Sequence, residues 1–264
     1  MPHVSMAGLD PLPADRNQPE AGPAVANPGI HAVSVSIRGD CGLVAPPRPA
    51  RIAHRGAWTT LEPLTSAHAA ALWPQAEAAP ESWAWLPHGP FPGAAAFRGY
   101  LRFAAASGEE TLWAVRPHCA DGEPGAAAGW LGLLDVRPDH ASIELGNIWF
   151  PPGLARTRAA TEALFLLLDH AFALGYRRVA WKCDAANLAS GRAAERLGFA
   201  VDGVLRAHTI VGGQRRDAVC YSLLDDAWPA RRAALLEWLD AANFCADGRS
   251  RAPLRRAAAP LPHP

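Results

Sequence analysis

Two segments about one helix apart hold the residues best suited to chemistry. The first is the predicted helix start at 154–162, with Arg156, Thr157, Arg158, Ala159, Ala160 and Thr161. The first N–H groups of a helix lack intrahelical partners and point along its axis. With the helix dipole they make a site for a pyrophosphate. Ala159 and Ala160 are small enough for a phosphate to approach the backbone, the two arginines add charge, and the two threonines add hydroxyl donors. An ordinary solvent-exposed helix start would use the same residues. The second segment is Asn187-Leu-Ala-Ser190-Gly-Arg-Ala-Ala-Glu-Arg-Leu197-Gly198-Phe199, which follows the strand-like run 178–183. It reads as a polar turn, a short helix, a glycine stop and a hydrophobic re-entry.

The elements that must position these segments alternate along the chain. A strand at 58–61 precedes a helix capped by Thr65 or Ser66. After an aromatic, proline-rich loop at 83–92, a helix over 94–106 puts Phe97, Tyr100, Leu101 and Ala104 on one face. Strands at 111–115, 130–136 and 142–149 form an antiparallel meander. The longest helix pattern spans 154–174 and stops at Gly175. Then come a strand at 179–183, a helix at 189–197, strands at 201–211 and 219–224 around Gly212-Gly213, and a helix at 228–239. This order gives a mixed α/β sheet with helices on both faces. Residues 1–50 read as a disordered leader with a strand-like piece at 32–37, residues 51–245 as one domain, and 246–264 as a loose tail.

Composition excludes several classes. Basic and acidic residues balance at 25 each, so no nucleic-acid partner is expected. Lys182 is the only lysine, which reads as a compositional bias. Cys41, Cys119, Cys183, Cys220 and Cys245 are widely spaced, with no C-x-x-C pair and no histidine at zinc spacing, so no metal is expected and the thiols read as separate and reduced. No apolar run suits a membrane span and no secretory leader is seen, so the expected location is the cytoplasm. No G-x-G-x-x-G, Walker lysine motif or G-x-S-x-G elbow appears.

Four motifs in order carry a resemblance. They are His54-Arg-Gly-Ala-Trp58-Thr-Thr-Leu-Glu-Pro-Leu64, Ile143-Glu144-Leu-Gly-Asn-Ile-Trp149, Ala160-Thr-Glu-Ala163, and Asn187-x-x-Ser190 followed by Leu197-Gly198-Phe199. Over roughly 50–240 the chain resembles the RimJ/RimL-type branch of the GNAT acyltransferase superfamily. The resemblance implies a mostly antiparallel mixed sheet splayed between its fourth and fifth strands. It also implies acetyl-CoA as co-substrate and a small-molecule or peptide amine as acceptor. A homodimer is the default expectation. One departure stands out. The family's phosphate loop runs Gln/Arg-x-x-Gly-x-Gly/Ala, and here the aligned stretch is Ala155-Arg-Thr-Arg158-Ala-Ala160, with Arg158 in place of the middle glycine. Arg156 or Arg158 would then compensate through a charge-assisted contact.

In that frame the pantetheine arm pairs with the fourth strand near Ile148, Trp149 and Phe150, by strand addition. Asn187 is a pantetheine partner or a helix cap. Glu144, between apolar Ile143 and Leu145, is the candidate base; the alternative is a partly exposed strand carboxylate paired with an arginine. Ser190 and Tyr221 are candidate proton donors to the leaving thiolate, with a cap and a core position as their respective alternatives. Asp135, Arg206 and His208 are expected to border the acceptor pocket, and Trp83, Trp85 and Trp149 to wall it or pack in the core. Asp184 beside Lys182 reads as a local ion pair. The competing functional reading is a non-catalytic GNAT-like module that binds CoA or a partner.

Overall fold

The computed structural model describes residues 44–211 and 213–254. Its strands are β1 (His54–Arg55), β2 (Thr59–Pro63), β3 (Thr111–Pro117), β4 (Gly129–Arg137), β5 (Ser142–Trp149), β6 (Arg178–Asp184), β7 (Ala200–Val211) and β8 (Gln214–Leu224). Its α-helices are α1 (Ala69–Ala78), α2 (Ala94–Ala106), α3 (Arg158–Ala173), α4 (Leu188–Leu197) and α5 (Trp228–Leu239). The strands form one sheet in the order β1-β2-β3-β4-β5-β6-β8-β7. Every neighbouring pair is antiparallel except β5 and β6. The two-residue β1 makes the fourth and fifth strands of the sequence reading β5 and β6.

The parallel pair is short. Ser142, Ile143 and Glu144 lie opposite Arg178, Val179 and Ala180, and there the pairing ends. β6 goes on to pair with β8 through Asp184, while β5 stays with β4 through Trp149. This is the splay expected of the fold. Two bulges bend the strands bordering it. The β4–β5 register shifts once beside Asp135 (φ 44°) and once beside Asn147 (φ 46°). A bulge strengthens local twist and flips the alternation of faces. Leu145 and Ile148 therefore both pack toward α3, while Trp149 turns to the opposite face.

Each face is buried by helices. On one side Leu164, Leu167, Leu168 and Ala171 of α3 pack with Leu131, Leu133, Ile143, Leu145 and Val179, and α4 and α5 extend that core through Ala194, Leu197, Leu235 and Trp238. On the other side Leu72, Phe97 and Leu101 of α1 and α2 pack with Leu112, Ala114, Trp130 and Trp149. α4 ends as its sequence requires. Gly198 takes φ 97°, and its N–H reaches the carbonyls of Ala194 and Glu195. A side chain there would be strained by the backbone and would strike Arg231.

Three expectations change. The helix expected from 154 starts at Arg158, because 151–157 forms turns in which Leu154 and Ala155 N–H donate to the Pro151 carbonyl. Residues 44–50, within the expected leader, pack on the domain. There Arg48 donates to the Val136 and Gly108 carbonyls, and the Tyr176 hydroxyl donates to the Pro47 carbonyl. Residues 246–254, expected to be loose, fold back onto α5. The Trp238 indole donates to the Ala252 carbonyl at 3.0 Å, Ala252 N–H donates to Asn243 Oδ1 at 3.0 Å, and Leu254 is buried. The strand-like piece at 32–37 and Cys41 lie outside the described residues. The other four cysteines are free thiols. Among the described residues no group of side chains could hold a metal ion, and no helix is long and apolar enough to cross a membrane.

One buried carboxylate ties α3 to the start of the sheet. Glu162 Oε1 accepts the Ala57 N–H at 2.8 Å, and Oε2 accepts the N–H groups of Trp58 and Thr59 at 2.7 and 2.8 Å. Burial pushes this carboxyl above the usual range, against the pull of the three donors and His118. Gly56 makes room for it, since a Cβ there would lie 2.3 Å from the carboxyl carbon. Removing the side chain leaves three buried donors without a partner. Glu162→Ala is expected to cost roughly 3–5 kcal/mol in urea unfolding, and Gly56→Ala to destabilise in the same assay.

Half-buried histidines set an acid limit on the fold. Burial lowers His54 and His88 to about 4, His170 adding to the effect on His54, and burial also lowers His170. A histidine depressed in the native state is protonated first in the unfolded chain, so stability is full above the unfolded value and falls as pH drops toward the folded one. The urea midpoint is expected to hold near pH 7 and decline between about 6.5 and about 4. His88→Phe, which removes one such site, is expected to shrink that decline.

Candidate functional site

Glu144 stands at the last register pair before β5 and β6 part. Its neighbours Ile143 and Leu145 point into the α3 core, so strand alternation sends its carboxylate to the other face. Glu144 is 9% exposed, and Lys182 Nζ lies 3.7 Å from its Oε2. Burial raises the Glu144 carboxyl above the usual range. Lys182 pulls it back, Asp135 pushes it up, and His208 pulls it down. The tertiary structure thus groups Glu144, Asp135 and His208 from three strands. The expected alternatives for two carboxylates are corrected here. The partner of Glu144 is the lysine, not an arginine. Asp184 pairs instead with Arg216 at 3.6 Å and accepts the Ala186 N–H at 2.8 Å.

At the start of α3, Thr157 is the N-cap. Its Oγ1 accepts the Ala160 N–H at 3.1 Å and donates to the Leu154 carbonyl at 2.7 Å. Thr161 is buried and donates to the Thr157 carbonyl. Both hydroxyls serve the helix itself, which is the plainer of the readings open to them. Ala159 and Ala160 are buried in the α3 core, so their small size also lets the helix lie close to the sheet. The N–H groups of Arg158 and Ala159 belong to the first turn, where no intrahelical acceptor exists. Arg156, not Arg158, takes the left-handed conformation that favours glycine (φ 65°), at a strain of about 1 kcal/mol. Arg156 is exposed, whereas the Arg158 guanidinium lies 3.7 Å from the centre of the Trp58 ring and 5.4 Å from that of Phe244. The substituted arginine therefore stacks beside the helix start and leaves the backbone there uncovered.

α4 begins with Asn187 as its N-cap. Its Oδ1 accepts the Ser190 N–H at 3.1 Å, and its amide nitrogen keeps two donors beyond that bond. Ser190 Oγ accepts the Trp181 indole N–H at 3.0 Å. The Cys183 thiol contacts both Ser190 and Tyr221, and burial raises it. Tyr221 is also raised by burial. Its hydroxyl sits under Gly191, where a Cβ would approach it to 2.7 Å. Tyr221, Cys183 and Asn187 line a cavity of about 130 Å³. The two candidate donors are thus joined through one thiol.

Trp83 and Trp149 are 2% and 1% exposed and stack on each other with ring centres 4.6 Å apart. The Trp149 indole donates to Ser82 Oγ at 2.9 Å. Both are core residues, so neither walls a pocket. Trp85 is exposed, as are Arg206 and His208 on the edge strand β7. Ile148 and Phe150 are half-buried against the α3 core.

Sequence reasoning missed three cations. Lys182 was set aside as a bias, although a lone lysine is itself a signal. Arg192 and Arg196 are four apart on α4, hence on one face. With Trp238 and Leu254 they line a cavity of about 430 Å³, and Arg196 reaches Thr161 of α3 at 3.3 Å. It also missed Asn147, whose bulge position no local pattern marks. Its amide donates to Glu110 Oε2 at 2.9 Å and accepts from the Trp130 indole at 3.3 Å.

Comparison with known proteins agrees with this architecture. A family model for the acetyltransferase (GNAT) domain matches residues 59–200. The crystal structure of a GCN5-related N-acetyltransferase from Brucella melitensis is 36% identical with a TM-score of 0.76, covering 81% of this chain and 97% of that one. A protein described as a probable acetyltransferase of the GNAT family, from Chromobacterium violaceum, is also 36% identical, with a TM-score of 0.66 over 79% of this chain and 100% of that one. Mycobacterium smegmatis RimJ, in complex with CoA-disulfide, shares the fold at 21% identity and a TM-score of 0.57, over 68% and 88% of the two chains. No curated protein matches the sequence significantly. The domain match, the 36% relatives and the parted β5–β6 pair lead to one conclusion: the chain belongs to the RimJ/RimL-type GNAT acetyltransferases, enzymes that use acetyl-CoA.

Proposed function

We propose that this enzyme moves the acetyl group to a primary amine, on a small molecule or a peptide, by direct attack in a ternary complex with Glu144 as general base. The observation that carries the reading is the place of Glu144. It is a buried carboxylate at the mouth of the β5–β6 opening, facing away from the α3 side. An amine must be neutral to attack a thioester, so a group there has to accept its proton, directly or through water. Burial raises the Glu144 carboxyl toward the range in which a carboxylate accepts a proton well.

The remaining roles follow the chemistry of each position. The Arg158 and Ala159 N–H groups, with exposed Arg156, suit the coenzyme's pyrophosphate. Among the described residues, the edge of β5 beyond Glu144 has no strand beside it on the β6 side. Its backbone from Leu145 to Phe150 is open to the pantetheine amides, and a strand N–H near Trp149 to the oxyanion. The free amide of Asn187 suits the same arm. Tyr221 and Ser190, joined through Cys183, are the candidate proton sources for the departing thiolate. His208 and Asp135 border the acceptor side, near enough to influence Glu144.

Titration calorimetry is expected to show micromolar acetyl-CoA binding by the folded protein; absence of binding to both acetyl-CoA and CoA would sink this reading. Glu144→Gln is expected to keep that affinity and to lower thiol release with an amine acceptor by about 100-fold or more. In the wild type the rate should fall as pH drops through a midpoint above the usual carboxylate range, and this limb should vanish in Glu144→Gln. Arg156→Ala is expected to weaken acetyl-CoA several-fold, with a smaller salt dependence than the wild type.

A further inference from the structure

Of the 25 basic residues in the chain, only one is a lysine, and it is the residue whose charge meets the buried Glu144. The contact spans the opening in the sheet. Glu144 is opposite Ala180, the last paired position of β6. Lys182 lies two residues further on and so on the same face, about 7 Å along the strand. Its stem leans back over the parting of the strands to bring Nζ to 3.7 Å from Oε2.

The pair is lopsided. The Glu144 side chain is 12% exposed and that of Lys182 is 41% exposed. A half-solvated pair contributes little to stability, and pairs with a buried member are often replaceable by apolar groups without loss. Stability is therefore a weak reason for the contact. Its effect falls on the carboxylate. Three titratable groups from three strands face Glu144: Lys182 of β6, Asp135 of β4 and His208 of β7. Asp135 opposes the anion and is itself tied to Arg137 at 2.8 Å. His208 is exposed on the edge strand. Of the three, only Lys182 is in direct contact with Glu144. A lysine also suits the place, because it offers a compact charge to one oxygen, where a guanidinium would tend to take both. The second oxygen, Oε1, lies over Gly146, 3.2 Å from where a Cβ would stand.

We propose that Lys182 is a positioning residue for acetyl transfer: its ammonium bridges the opening between β6 and β5 and holds Glu144 Oε2 as an anion, leaving Oε1 to meet the incoming amine. The functional meaning rests on the assignment of Glu144 as base, but the interaction can be tested without turnover. The carboxyl carbons of the full chain, labelled with ¹³C-glutamate, are titrated by NMR, and the Glu144 signal is identified by its loss in Glu144→Gln. In Lys182→Met the Glu144 midpoint is expected to move to higher pH, so that at the wild-type midpoint the ionised fraction falls from half to about a tenth. Lys182→Arg, which keeps the charge, should hold the midpoint close to that of the wild type.

The single lysine also allows a test on the folded wild type, should Lys182→Met not fold. Acetic anhydride removes the Lys182 charge and should reproduce the upward shift, whereas reductive methylation keeps the charge and should not. A Glu144 midpoint that is unchanged after loss of the Lys182 charge overturns the proposal. Full turnover by Glu144→Gln would instead overturn the assignment of the base and leave the titration result standing.

Discussion

The site depends on one constraint, the parting of β5 from β6 after three register pairs. A parallel pair inside a sheet normally continues until both strands end. Here each strand has a stronger commitment elsewhere. β6 is held by β8 along its whole length, and β5 by β4, with a bulge at Asn147 that turns its last residues aside. Pro151 and Pro152 then end the line, since neither can donate to a ladder. Among the described residues the result is an unpaired strand edge in the middle of the sheet, with a carboxylate at its apex. Such an edge is a liability in most proteins; in the proposed function it is where the coenzyme arm pairs.

The rest of the fold keeps that opening rigid. α3 packs across the sheet on one side, and its Glu162 carboxylate gathers the N–H groups of Ala57, Trp58 and Thr59, the last being the first residue of β2. This fixes the helix start relative to a strand a hundred residues earlier. On the other side Trp83, Trp130 and Trp149 form a second core under α1 and α2, and this core holds the far end of β5. The start of α3 and the far end of β5 are thereby held by separate cores on opposite faces.

The electrostatics follow from the same geometry. Glu144 is buried, and a buried carboxyl favours its proton. Lys182 offsets this from β6, 3.7 Å from Oε2, and Asp135 adds to it from the β4 bulge.

Much of the architecture is legible in the sequence because it is local. Strand β5 and helix α5 stand where the pattern puts them, Gly198 stops α4 in the left-handed conformation, and Asn187 and Thr157 sit where helices begin. Periodicity, caps and stops depend on neighbours within a turn or two, so the chain by itself determined the element order and the candidate carboxylate. The partners of that carboxylate were decided by tertiary structure. Lys182 meets Glu144 instead of adjacent Asp184, because alternate residues of a strand point to opposite faces and β6 lies next to β5. His208 comes near because the sheet runs β6-β8-β7, an order no sequence spacing encodes. The tryptophans went to the core and Arg158 to an aromatic face because burial and stacking are settled among elements far apart in the chain. Charges and rings act through space, and here the distances that matter are set by how the sheet is ordered and where it opens.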